Sequence, residues 1–236
     1  MGSLRPTRIA GLLYLVVVVA GLMVLKVVPD HIIVAGDAAA TANNLRASET
    51  LFRVATLVDL LAEVLFLIVV LALYRIFKGV HEGLAAVMVV FVVISLPIIL
   101  IAVSFEIAAV SLVGSADLGS AFGRPQLDAL ASLLLDLHDK AQLVDVMLWG
   151  LWLFPLGALQ LRSGFVPRVV GVLAIVAGAG YVLDLAISVI APDATKALSG
   201  AASLAQAGEL ATVVWLLAAR GDTSRAAAHR VVAVAG

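Results

Sequence analysis

Six apolar runs, each long enough to cross a bilayer, follow one another through the chain with only short gaps, and this spacing restricts the fold more than any other feature. A hydrocarbon layer about 30 Å thick is spanned by roughly 20 helical residues. The runs fall at residues 9–28, 51–74, 83–113, 140–161, 169–190 and 199–219. Arg5 and Arg8 precede the first and Pro29-Asp30 closes it, while the fifth stops before Pro192. Pro97 lies inside the third, where the missing backbone donor predicts a kink. The first run exceeds the roughly 7 to 15 apolar residues of a signal-peptide core, so it is expected to stay as a span. With 63% hydrophobic and 13% charged residues, against about 25% charged in soluble domains, the chain cannot coat a water-soluble surface. The expected fold class is all-α: a polytopic six-helix transmembrane bundle forming a single integral membrane domain over 1–236.

Long connectors at 29–50, 114–139 and 191–198 alternate with tight turns at 75–82 and 162–168, so the long ones share one side. Nine of the fifteen basic residues, Arg5, Arg8, Arg75, Lys78, Arg162, Arg168, Arg220, Arg225 and Arg230, flank the other side. The positive-inside rule then makes both termini cytoplasmic, with 220–236 as a cytoplasmic tail. In the outer connectors, 38–45 follows Asp37, a residue suited to cap free helix amides. Residues 127–137 read as an amphipathic helix lying at the outer interface. A net charge of −1 gives no field for nucleic acid, and zero cysteines remove thiolate chemistry.

The residues that a bilayer tolerates least are Asp59 and Glu63 in span two, Glu106 in span three, Asp145 in span four, Asp184 in span five and Glu209 in span six. Isolated, they would cost on the order of 15 to 20 kcal/mol, so they require partners, protons, an ion or water. At 1.5 Å per residue all six fall about 9 to 18 Å below the outer helix ends. Residues three, four and seven apart share a helix face. That rule groups Asp59 with Glu63; His138 with Gln142, Asp145, Trp149 and Trp152; and Tyr181 with Asp184. These positions predict an outward-opening acidic cavity lined by Asp59, Glu63, Glu106, His138, Asp145, Trp149, Tyr181, Asp184 and Glu209. Asp59 and Glu63, deep and one turn apart, are expected to share a proton. The bland alternative is hydrogen bonding between spans, which stabilises bundles by roughly 1 kcal/mol per bond.

His138, Asp139 and Asp145 are weak metal candidates, and an ion pair of Lys140 with Asp136 or Asp139 accounts for that stretch more simply. His138 is also a candidate gate by protonation. No His-Glu-x-x-His pair or phosphate-binding Gly-Lys-Ser/Thr motif occurs. Gly171, Ala174 and Gly178 have the small-residue spacing that lets helices approach closely. Arg8 to Leu13 echoes Arg168 to Leu173, a faint internal repeat.

The order of short motifs resembles the polytopic bacterial membrane family known as domain of unknown function 4386. The motifs are Arg8-Ile9-Ala10-Gly11-Leu12-Leu13-Tyr14-Leu15, Gly36-Asp37 through Asn43, Leu51-Phe52-Arg53, Leu137-His138-Asp139, Arg162 through Leu173, Gly180 through Asp184, and Gly208-Glu209-Leu210. The resemblance covers almost the whole chain. It implies a multi-span protein of the bacterial inner or plasma membrane with no assigned activity, and it makes Asp37, Arg53, His138, Asp139, Asp184 and Glu209 family-pattern positions.

Three functions are open. The first is a transporter or binding protein for a cation, a proton or a cationic small molecule, with Asp59, Glu63 and Glu209 as midplane binding groups. The second is a non-catalytic sensor or partner subunit. The third is a metal-dependent intramembrane enzyme acting on lipid, with His138, Asp139, Asp145 and Asp184 holding the ion. No cofactor is expected and no catalytic residue is assigned. The expected partners are the lipid bilayer and a small cation, proton or lipid ligand, without nucleic acid; the sequence sets no oligomeric state.

Overall fold

The computed structural model describes residues 6–115, 122–191 and 194–219, with backbone alone over 195–199. The expectations placed on Arg5, Pro192 and the tail 220–236 lie outside the described residues. Among the described residues there are helices and short connections and no strand.

Helix α1 (Pro6–Leu22) runs through a wide π turn (Met23–Val27) into α2 (Val28–Ile32). Pro29 causes this local widening: its ring crowds the carbonyl four residues back. In the turn just before it, the Val28 N–H reaches the Met23 carbonyl, five residues back. Then come α3 (Ala38–Ala47), α4 (Glu49–Phe77), α5 (Glu82–Gly114), α6 (Arg124–Ser163) and α7 (Arg168–Ile190). The last span is α8 (Thr195–Gln206), a 3₁₀ turn (Ala207–Glu209) and α9 (Leu210–Ala218).

Six stretches are long and apolar enough to cross a membrane: Pro6–Ile32, Glu49–Phe77, Glu82–Gly114, Arg124–Ser163, Arg168–Ile190 and Gly200–Ala218. Their outward side chains, among them Leu61, Val64, Leu100, Ile101 and Val214, are large, apolar and exposed. The chain is a multi-pass membrane protein, and the all-α, six-span expectation holds. One expectation does not. The interfacial helix expected at 127–137 is instead the continuous beginning of the 40-residue α6. No glycine or proline stands between Pro125 and Gly150 to end it. At 1.5 Å per residue α6 is about 60 Å long, twice the roughly 30 Å hydrocarbon layer. The helix expected at 38–45 does form as α3, and the Asp37 carboxylate accepts from the Ala40 N–H at 2.8 Å.

The chain packs as two compact units, and α4, α5 and α6 each contribute to both. The first comprises residues 1–15, 65–95 and 144–236. Within it α6 and α7 meet backbone to backbone. A Cβ added to Gly157 would lie 2.7 Å from the Gly171 carbonyl oxygen, and one added to Gly178 would lie 2.7 Å from that of Gly150. The small-residue spacing read from Gly171, Ala174 and Gly178 therefore serves close approach, as expected, and Ala174 is fully buried. Gly11 plays the same part for α1 against Leu216 of α9. Phe77, Phe165 and Trp215 stack nearby, with Phe77 and Phe165 centroids 5.8 Å apart.

The second unit comprises residues 16–64 and 96–143. Its core joins Ile32, Leu45, Phe52, Val110 and Leu135 from the α2, α3, α4, α5 and α6 segments. Arg46 ties three of these together. Its guanidinium pairs with Asp128 of α6 and donates to the Val113 carbonyl, 3.1 Å away in the last turn of α5, where the helix dipole favours a cation. Asn44 donates to the Ile32 carbonyl at 3.2 Å and so finishes α2.

Two stability tests follow from this packing, both read by thermal unfolding in detergent. Gly157→Leu forces a side chain into the α6–α7 seam and is expected to cost at least about 1 to 3 kcal/mol, whereas Gly21→Ala, with nothing within 4 Å of its Cβ, should gain about 0.5 kcal/mol. Arg46→Met strands buried Asp128 and should cost about 3 kcal/mol, with most of it recovered in Arg46→Met/Asp128→Leu.

Candidate functional site

Three helices of the second unit each bring polar groups to one level. Helix α4 presents Thr56 and Asp59, α5 presents Glu106, and α6 presents His138 and Gln142 one turn apart. Leu60, Ile99, Ala102, Val103 and Ala141, neighbours of these positions on the same helices, pack together. They close the helices around the polar side chains. Asp59, Glu106, Gln142 and His138 are 4%, 7%, 8% and 9% exposed, so none can rely on bulk water for its hydrogen bonds.

Glu106 is the centre. Its Oε2 lies 2.9 Å from the Thr56 hydroxyl, and its Oε1 lies 3.5 Å from His138 Nε2. The same Thr56 hydroxyl lies 3.0 Å from the Phe52 carbonyl in the preceding turn. The charged neighbours of Asp59 are Glu106 and His138; those of Glu106 are His138 and Asp139. No Lys or Arg stands among them. Several buried atoms have no hydrogen-bond partner among the described residues: Asp59 Oδ2, His138 Nδ1 and both polar atoms of the Gln142 amide.

The first unit treats its acid differently. Glu209 ends the 3₁₀ turn, which Gly208 permits because a Cβ there would lie 2.6 Å from the Leu173 carbonyl oxygen of α7. The Tyr14 hydroxyl donates to Glu209 Oε1, and the Tyr181 hydroxyl donates to Oε2 at 3.0 Å. Each carboxylate oxygen thus receives one phenol. Tyr14 is itself fixed by Phe66 and Trp152, whose ring centroids lie 6.2 and 6.1 Å away. Trp149 packs on Phe66 at 6.5 Å. Asp145 is fully buried one turn before Trp149, and Asp184 is half-buried one turn after Tyr181.

Of the residues singled out from the sequence, Asp59, Glu106 and His138 come together in the second unit, and Glu209 and Tyr181 in the first. Glu63 is buried one turn from Asp59 on α4. Asp59 meets Glu106 of α5 and His138 of α6 across helices. Thr56, Gln142 and Tyr14 were not singled out as site residues. A signal existed for each: Thr56 is three residues before Asp59, Gln142 is four after His138, and Tyr14 is the one aromatic residue of the first span.

Among the described residues no group of three His, Cys, Asp or Glu is placed to hold a metal ion. His138 and Asp139 are consecutive on α6 and so point to different faces. The ion pair expected between Lys140 and Asp136 or Asp139 is not formed either: Asp139 feels His138 most strongly, then Asp136 and Lys140 at longer range.

The family model described as Domain of unknown function (DUF4386) matches residues 9–219. The chain belongs to this family. Comparison with curated proteins and with solved structures gives no match. Four residues of the motifs that carry the resemblance have separable physical roles in this DUF4386 chain. Asp37 caps α3, Arg53 pairs with Glu49 at 2.8 Å on an exposed face, His138 contacts Glu106, and Glu209 takes two phenols.

The tyrosine pair gives a third test. Tyr14→Phe and Tyr181→Phe should each destabilise the protein by about 1 kcal/mol by leaving a half-buried carboxylate oxygen without its donor. A double-mutant cycle of Tyr14→Phe with Glu209→Gln, followed by thermal unfolding, should return a coupling energy of about 1 kcal/mol or more. Additive losses would show that the contact carries no energy.

Proposed function

We propose that this DUF4386 protein binds a proton or a small cation within the membrane and carries it across, with Asp59, Glu106 and His138 as the binding centre. One observation carries the reading: the charged neighbours of the buried carboxylates of Asp59 and Glu106 are further acids and one imidazole, His138. Two acids and one His cannot reach neutrality together. A net negative charge buried without compensation is strongly unfavourable, so the group requires at least one bound proton or cation. The unused atoms of Asp59, His138 and Gln142 supply oxygen and nitrogen ligands of the kind that suit a proton or a hard cation.

For Glu209 the packing role has the better support, because both of its oxygens already have donors. The distribution of Lys and Arg supports placement in the cell membrane with both termini cytoplasmic.

Reconstituted liposomes with an imposed pH gradient and an entrapped pH-sensitive dye test the proposal, first in potassium and then in sodium medium. The wild-type protein should dissipate the gradient in at least one medium. Glu106→Gln should slow this on the order of 100-fold, the scale on which a positioned acid–base group acts, while keeping the wild-type unfolding midpoint. Equal rates for the two proteins, or no protein-dependent flux in either medium, would reject it.

A further inference from the structure

We infer that the occupant of this centre is a proton: Glu106 holds it as a carboxylic acid, and His138 loads it, accepting a proton at Nδ1 while passing the one on Nε2 to Glu106. The inference rests on the reading just given and names its ligand.

The hydrogen count at Thr56 carries the first half. A threonine hydroxyl has one hydrogen and two acceptor lone pairs. Thr56 Oγ1 nevertheless stands within hydrogen-bond distance of two oxygens, the Phe52 carbonyl at 3.0 Å and Glu106 Oε2 at 2.9 Å. If Glu106 were ionised, both would be acceptors competing for one hydrogen. If Glu106 bears a proton on Oε2, it donates to Thr56, Thr56 donates to Phe52, and every oxygen in the chain is matched. The bond from a helical Thr to the carbonyl four residues back is a common local pattern, so the hydroxyl hydrogen has a ready acceptor. Glu209 provides the contrast within the same protein: two phenols, each with its own hydrogen, meet its two oxygens, and no extra proton is needed.

The geometry of His138 carries the second half. Its Nε2 faces Glu106 Oε1 at 3.5 Å, one small shift from a direct hydrogen bond. Its Nδ1 is buried and without a partner, and one turn further along α6 the Gln142 amide has both its oxygen and its nitrogen unused. A neutral ring with its hydrogen on Nε2 leaves Nδ1 as a bare acceptor, and the Gln142 amide can hold a water molecule against it. In the loading step a hydronium ion gives a proton to Nδ1 and leaves as water. The Nε2–H bond breaks and an O–H bond forms on Glu106 Oε1, and a half-turn of the carboxyl group brings that hydroxyl round to the Oε2 position beside Thr56. One proton enters, one is passed on, and no electrons change hands. The ring then carries its hydrogen on Nδ1, and the reverse exchange restores it when Glu106 gives its proton up.

Other charged groups face this pair from each helix: Asp59 from α4, with Glu63 one turn beyond it, and Asp139 from α6, with Asp136 and Lys140 behind it. Lys26 with Asp30 and Arg46 with Asp128 are closed ion pairs elsewhere in the unit. The near neighbours are therefore acids that attract a proton and do not supply a competing fixed cation.

Infrared difference spectroscopy of the purified protein in lipid nanodiscs at neutral pH tests both halves. A protonated-carboxyl C=O band should be present in the wild type, lost in Glu106→Gln and kept in Glu209→Gln. Thr56→Val should move that band to higher frequency by removing its acceptor. After a pH jump, His138→Phe should recover the band on the order of 100-fold more slowly than the wild type. Glu106→Asp, which should keep a displaced band, guards against a Glu106→Gln protein that does not fold. No band lost on Glu106→Gln, or recovery at the wild-type rate in His138→Phe, overturns the inference. The two proposals fail separately. Flux in liposomes without the band refutes the proton on Glu106 and leaves cation binding standing; the band with no flux supports the relay and refutes carriage across the membrane.

Discussion

A polar side chain enclosed by apolar helices has only the partners that the protein itself supplies. Everything specific about this fold is an answer to that constraint. Glu209 is answered by two phenols and Asp128 by a guanidinium that also closes the end of α5. Glu106 is answered incompletely, by a shared hydroxyl and a distant imidazole. The complete answers behave as structure, and the incomplete one leaves room for a mobile species.

Packing and chemistry are connected through the glycines. A Cβ on Gly150 would collide at 2.7 Å with the Tyr181 Cβ and at 2.8 Å with the Gly178 carbonyl. Its absence lets α7 come near enough to α6 to set the height of Tyr181, whose hydroxyl then meets Glu209. Gly208 does the same for the last span, where a side chain would strike the Leu173 carbonyl. The 3₁₀ turn at Ala207–Glu209 therefore has two boundaries, a bare backbone contact on one residue and a doubly bonded carboxylate on the next. A short mid-helix change of pitch of this kind marks strain or a hinge, and here two tyrosines fasten it.

The sequence made the membrane class and the six spans readable because hydropathy integrates over some twenty positions at once. It also made the α3 cap and the small-residue seam readable, since both are local spacings. The length of α6 was not readable: a change from a polar-faced stretch to a mainly apolar one at about Lys140 looks like the end of one helix and the start of another, yet nothing in the backbone chemistry breaks there. Partner choice was the other blind spot. Depth along each helix places Asp59 and Glu209 at similar levels, but depth does not tell which hydroxyl a carboxyl will meet. The structure gives Glu209 two tyrosines from α1 and α7, and gives Glu106 a threonine from α4. Both contacts join residues far apart in the chain, which helical periodicity does not register.

The difference between tyrosine and threonine then decides the chemistry. A phenol brought from another helix has no backbone carbonyl of its own turn to satisfy, so its hydrogen is free for the carboxylate. A helical threonine has such a carbonyl one turn back and spends its hydrogen there, which leaves its oxygen as an acceptor. On the proposed reading, the identity of the neighbouring hydroxyl separates an acid whose two oxygens each receive a hydrogen from one that supplies its own. Asp59 sits three residues after Thr56 on the same helix, so the face of α4 that bonds Glu106 also brings a second carboxylate beside it. On the proposed reading, one imidazole between two acids is what makes the centre depend on an exchangeable ion rather than on a fixed pair.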